Sequence, residues 1–129
     1  MIRVLVVDDH SFFRRCLIEL VNAQDDVETV GQCSDGIEVV AAVRELAPHV
    51  VLMDVRMAAM SGIEAVAALQ RDRAGARVVM LAGEAGRTSC AAARANGASG
   101  FLLKGAHPDV LVDTIHRVAY GGSAWPENR

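Results

Sequence analysis

Short apolar runs alternate five times along this chain with longer amphipathic stretches, and no other feature limits its fold class as tightly. Ile2–Val7, Val27–Cys33, Val50–Met53, Arg77–Leu81 and Gly100–Leu103 read as strands. The first, third and fourth are almost unbroken Val, Leu, Ile and Met, the pattern of strands covered on both faces. Helical patterns lie between them. Ser11 can cap a helix that places Phe13, Cys16, Leu17, Leu20 and Val21 on one face. Asp35-Gly36 opens a second, with Val39, Val40, Val43 and Leu46 aligned and Pro48 as its stop. Ser61 and Glu64 have capping-box spacing ahead of a third. An Ala-rich fourth is expected from Gly86 to Ala95, ended by Asn96-Gly97. Pro108 suits the first turn of a fifth, which carries Leu111, Ile115 and Val118 and ends at Gly121-Gly122. Five βα units with right-handed crossovers predict a single-domain, doubly wound α/β fold: a five-stranded parallel sheet with five helices.

Composition removes several classes of function. A chain of 129 residues suits one domain with a real core, and 52% apolar against 22% charged residues argues against disorder. Charges interrupt every apolar run well short of the roughly 20 residues that span a membrane. The start, Met1 to Val7, has neither the length nor the flanks of a signal peptide. Cys16, Cys33 and Cys90 are odd in number, far apart and without a C-x-x-C, as expected of thiols in a reducing cytoplasm. A net charge of −3 offers no basic footprint, so the chain itself is not expected to bind nucleic acid.

In open parallel sheets, chemistry gathers at the carboxyl ends of the strands. The first strand ends in Asp8-Asp9, the third in Asp54, the fourth in Ala82-Gly83, and the fifth in Lys104, the only Lys among 13 basic residues. If these strands are neighbours, three carboxylates and one ammonium meet on one rim. Buried like charges are costly and repel. A hard divalent cation such as Mg²⁺, held by oxygen ligands, resolves both problems, and Lys104 adds charge for a further anion. Asp54 stands alone at its strand end and is suited to act as a nucleophile towards phosphorus, whereas adjacent Asp8 and Asp9 are better suited to hold metal.

Those residues carry a family resemblance over nearly the whole chain. Val-Val-Asp8-Asp9-His10, Val-Leu-Met-Asp54-Val-Arg-Met57 with Gly62, and Gly97-Ala-Ser-Gly100-Phe101-Leu-Leu-Lys104 together resemble the receiver domain of two-component response regulators. His10, Arg14 and the absence of Pro after Lys104 resemble the subfamily with a LuxR/NarL-type output. The resemblance implies a flavodoxin-like strand order 2-1-3-4-5, the order for which such a receiver is itself a standard example. It implies Asp54 as phosphoacceptor and a phosphohistidine on a sensor kinase as donor. It also implies Mg²⁺ on Asp9, Asp54 and the Arg56 carbonyl, with Asp8 acting mainly through water. Lys104 is expected to pair with the phosphoryl group or, before transfer, with Asp54, and Phe101 to report the state of the site. The domain is expected to span residues 1–121. Residues 122–129, around Trp125 and Pro126, read as a tail or the start of a linker to an output domain that regulates transcription.

The sequence departs from the family pattern chiefly at Ala82, where a Ser or Thr hydroxyl normally reaches the phosphoryl oxygen. Ala58 replaces a common Pro and leaves the loop after Asp54 less restrained. Arg56 and Glu84 flank the expected water path and are expected to tune phosphate lifetime. Two functions are weighed: a phosphoacceptor signalling by conformational change or homodimerisation, with only slow self-catalysed phosphotransfer, and a degenerate receiver acting without phosphate. Ala82 favours the second, and the intact Asp8, Asp9, Asp54 and Lys104 favour the first. A phosphatase would want its second acid two residues after the nucleophile, and a flavin carrier would need a Gly- and hydroxyl-rich loop after the first strand.

Overall fold

A computed structural model describes residues 1–126. Five parallel strands, β1 (Ile2–Val7), β2 (Val27–Cys33), β3 (Val50–Asp54), β4 (Arg77–Ala82) and β5 (Gly100–Leu103), form one sheet in the order β2-β1-β3-β4-β5. The helices are α1 (Ser11–Asn22), α2 (Val39–Leu46), α3 (Gly62–Arg71), α4 (Cys90–Ala95) and α5 (Pro108–Ala119). This is the fold class and strand order expected, with β3 and β4 each one residue longer at the rim.

Side-chain parity explains why the strands read as unbroken apolar runs. Leu5, Val7, Val51, Met53, Val78, Met80 and Phe101 pack with α2, α3 and α4. Their alternates Val4, Val6, Val50, Leu52, Val79 and Leu81 pack with α1 and α5. Both faces are buried, so neither set of alternate positions tolerates a polar residue.

Local signals built most of the helices. Ser61 Oγ accepts from the Glu64 amide while Glu64 returns a bond to the Ser61 amide, the reciprocal cap that starts α3. Asp35 and Glu38 form the same device, but it opens a 3-10 turn, Gly36–Glu38, that leads into α2. At α1 the cap position falls to His10, and Ser11 is already helical. The fourth helix differs most from expectation. Glu84–Ser89 winds as 3-10 turns and only Cys90–Ala95 is α-helical. Gly83, Gly86, Thr88 and Ser89 are weak helix formers, and a Cβ on Gly86 would stand only 3.3 Å from the Ala82 Cβ.

Beyond α5, the chain turns at Gly121, whose φ is +98°, and does not depart. Ala124 forms a parallel bridge with Gly100: its amide donates to Ser99 O at 3.0 Å and its carbonyl accepts from the Phe101 amide at 3.0 Å. Trp125 packs on the core with Arg94 stacked 5.1 Å from its ring centre. Ala124 thus docks on the outer edge of β5, and the chain does not leave at Gly121-Gly122, because the free ladder groups of an edge strand accept it. The remainder of the expected tail, 127–129, lies outside the described residues.

Candidate functional site

Parity also sets the site. Asp8 continues the series Val4, Val6; Asp54 continues Val50, Leu52; Lys104 follows Leu102 by two, and all three fall on the α1/α5 side of the sheet. Because β1 and β3 are paired in register and β5 lies two strands away across β4, the three groups meet at one rim. Asp8 is 1% exposed and Asp54 7%, while Asp9 is open to solvent.

Lys104 Nζ lies 2.7 Å from Asp8 Oδ2 and 3.2 Å from Asp54 Oδ2. The lysine therefore bridges two carboxylates, where the sequence expectation paired it with Asp54. Its ammonium also sits 4.5 Å from the centre of the Phe13 ring on α1, a cation–π contact that fixes the head group from a third side. Burial pushes the Asp54 carboxyl above its ordinary value and the Asp8 charge adds to it; Lys104 offsets only part. For Lys104, burial works against the charge, but the contacts with Asp8 and Asp54 outweigh it and the ammonium is held more tightly than usual.

The residues present fit a divalent cation. Asp8, Asp9 and Asp54 each bring a carboxylate oxygen within 4.8 Å of the other two. Asp8 Oδ2 is buried and has the Lys104 ammonium 2.7 Å away. Three carboxylates sharing one ammonium make a site short of positive charge.

Backbone and neighbouring loops hold this rim. The His10 amide donates to Asp8 Oδ1 at 2.8 Å, and Arg14 Nη1 donates to the Asp8 carbonyl at 2.6 Å while its Nε reaches Gln32. The Arg56 amide makes a long 3.4 Å contact with Asp54 Oδ1. Gly62 lies against the end of β3; a Cβ there would stand 2.2 Å from Asp54 O, so only glycine lets α3 start so near. The Lys104 amide donates to Ala82 O at 2.8 Å, fixing the two strand ends.

The other expected residues are placed as follows. Ala82 and Phe101 are buried in the layer of α2, α3 and α4, across the sheet from the carboxylates. Arg56 reaches over to the turn after β4, where its Nη2 donates to Ala85 O at 2.9 Å. Glu84 is exposed and pairs with Arg87 of the same turn at 3.4 Å. Sequence reasoning missed two contributors. Phe13 looked like one more residue on the apolar face of α1, and Asp35 like a helix opener. Asp35 also accepts from the amides of Ala59 and Met60, which restrains the loop that lacks proline. No short-range pattern announces either role, because both partners are remote in sequence. Among the described residues the Asp8, Asp9 and Asp54 group is the one that gathers metal-ligating side chains, and no helix is long and apolar enough to cross a membrane.

The chain is similar to known proteins along most of its length. The sequence pattern of the response regulator receiver domain matches residues 4–116. A nitrate/nitrite response regulator protein homolog of Haemophilus influenzae is 32% identical over 93% of the chain. The transcriptional regulatory protein LiaR of Bacillus subtilis is 36% identical over 94% of it. The chain spans 58% and 57% of the lengths of these two relatives. Among solved structures, the signal receiver domain of the response regulator NarL from Mycobacterium tuberculosis superposes with a TM-score of 0.88 at 30% identity. That match covers 93% of this chain and 97% of the other.

Proposed function

Because the chain belongs to the response regulator receiver domain family, we propose that it accepts a phosphoryl group on Asp54 from a phosphohistidine of a sensor kinase. What carries the reading is the buried Asp54 carboxylate at the end of β3, paired with the Lys104 ammonium that it shares with Asp8.

Asp8, Asp9, Asp54 and the Arg56 carbonyl would hold the cation, Asp8 mainly through water. A bound Mg²⁺ supplies charge neutralisation at the non-bridging phosphoryl oxygens, which is most of what phosphoryl transfer asks. An Asp54 oxygen attacks phosphorus as the bond to the donor imidazole nitrogen breaks, and the imidazole leaves with that electron pair. Lys104 then has a phosphoryl oxygen to pair with in place of the Asp54 carboxylate, while Phe13 holds its head group at the rim. The product carries roughly −1.5 to −2 charges where one was before, which is the signal. The Ala82 methyl donates nothing to it. With one phosphoryl group gained and slowly lost, the chain is a switch with self-catalysed phosphotransfer and not a turnover enzyme.

At the level of the whole protein, the likeness to longer regulators supports an output domain controlling transcription, a homodimer as the signalling form and a cytoplasmic location. A phosphate-independent role fits less well, because a buried group of like charges costs stability that only its chemistry explains.

The test is intact mass after incubation with a small-molecule phosphodonor. The wild type should gain one phosphoryl adduct only when Mg²⁺ is present, and Asp54→Asn none. No adduct under any condition would reject phosphoacceptance, and an adduct retained by Asp54→Asn would reject the assignment of the residue.

A further inference from the structure

Phosphorylation at one rim must be tied physically to a second element before it can be read elsewhere. At the end of β4 this chain has no side-chain donor for that tie. The Ala82 side chain is wholly buried, and a Cβ placed on Gly86 would stand 3.3 Å from the Ala82 Cβ and 3.5 Å from the Val55 Cβ, so the turn after β4 already closes over the methyl.

A different side chain spans the gap. Among the described residues, the one side-chain hydrogen bond between the loop after Asp54 and the turn Glu84–Ser89 runs from Arg56 Nη2 to Ala85 O, at 2.9 Å. Its backbone is already linked to the site, because the Arg56 amide faces Asp54 Oδ1 at 3.4 Å. The turn winds as 3-10 over Glu84–Ser89, carries the exposed Glu84–Arg87 pair, and its last residue leads directly into α4. The Arg56 guanidinium is thus the side-chain tie between this turn and the Asp54 loop.

A guanidinium offers five N–H donors in a flat fork, and Ala85 uses one edge of it. A phosphoryl group two residues away in sequence offers three acceptor oxygens and most of two negative charges. Resting on the reading of Asp54 as phosphoacceptor, we infer that Arg56 is the positioning residue that couples the phosphoryl group to the turn Glu84–Ser89, keeping Ala85 O while turning its free N–H edge to the phosphoryl oxygens. The turn is drawn towards the rim and α4 moves with it. Charge recognition by Arg56 thereby replaces the hydroxyl contact that Ala82 has lost.

Hydrogen exchange of the full chain, with and without a small-molecule phosphodonor, tests this, with intact mass read on the same samples. In the phosphorylated wild type, exchange across residues 83–89 should slow about tenfold, the factor that one charge-assisted hydrogen bond gives. In Arg56→Met carrying the adduct, that slowing should vanish. Arg56→Lys keeps a cation but not the fork, and should lose at least half of it. Equal slowing in the wild type and in either variant would overturn the proposal, as would unchanged or faster exchange in the phosphorylated wild type. Absence of any adduct on the wild type would overturn the phosphoacceptor reading instead, so the two failures are distinct.

Discussion

The Asp35 carboxylate accepts from the amides of Ile37, Ala59 and Met60, so one side chain both caps the turn into α2 and pins the loop that follows Asp54. These backbone donors, with the Ala59 amide foremost, hold its carboxyl below the ordinary value of 3.8. A depressed carboxylate contributes order that is present above the unfolded pKa and is lost as pH falls through the folded one. Amide exchange at Ala59 and Met60 should therefore stay protected from neutral pH down to about pH 4 and be lost only below it. Asp35→Ala should remove the protection at neutral pH. Equal exchange in wild type and variant would show that the loop is held by something else. Legibility at this scale divides by distance. Asp8, Asp9, Asp54 and Lys104 could be picked out because strand ends mark them, whereas the contacts Asp35–Ala59 and Lys104–Phe13 join residues that only the tertiary fold brings together.

Elements show the same division. The reciprocal Ser61–Glu64 cap needs four consecutive residues and was readable in full. The stretch after β4 was expected to be helical from Gly86, yet its first half is 3-10, where the weak helix formers Gly86, Thr88 and Ser89 lie and the turn packs against Ala82 and Val55. The segment after α5 was expected to depart at Gly121-Gly122, and nothing local in Ser123-Ala124-Trp125 revealed that β5 has a free edge to receive it. Two ladder bonds and the half-buried Trp125 ring hold it there. Trp125→Ala should lower unfolding free energy by about 1–2 kcal/mol in urea, less than the 3–5 kcal/mol of a fully buried aromatic. A loss under about 0.5 kcal/mol, the range of an ordinary surface change, would mean that the segment adds no stability.

At the scale of the whole molecule, the fold class followed from alternation alone, because two-faced burial forces apolar residues into the inner positions of the central strands β1, β3 and β4. The strand order came from family likeness, since periodicity carries no information about which strands are neighbours. That order is what matters for function: β3 between β1 and β4 brings Asp54 to Asp8 and lets Lys104 reach both. The central claim is that this convergence makes Asp54, and neither Asp8 nor Asp9, the phosphoryl acceptor. Borohydride reduction of the phosphorylated chain converts an acyl phosphate into the corresponding alcohol, which peptide mass spectrometry locates. The expected result is homoserine at position 54 alone, formed only after phosphorylation in Mg²⁺. Homoserine at position 8 or 9, or at no position in a chain that carries the adduct, would contradict it.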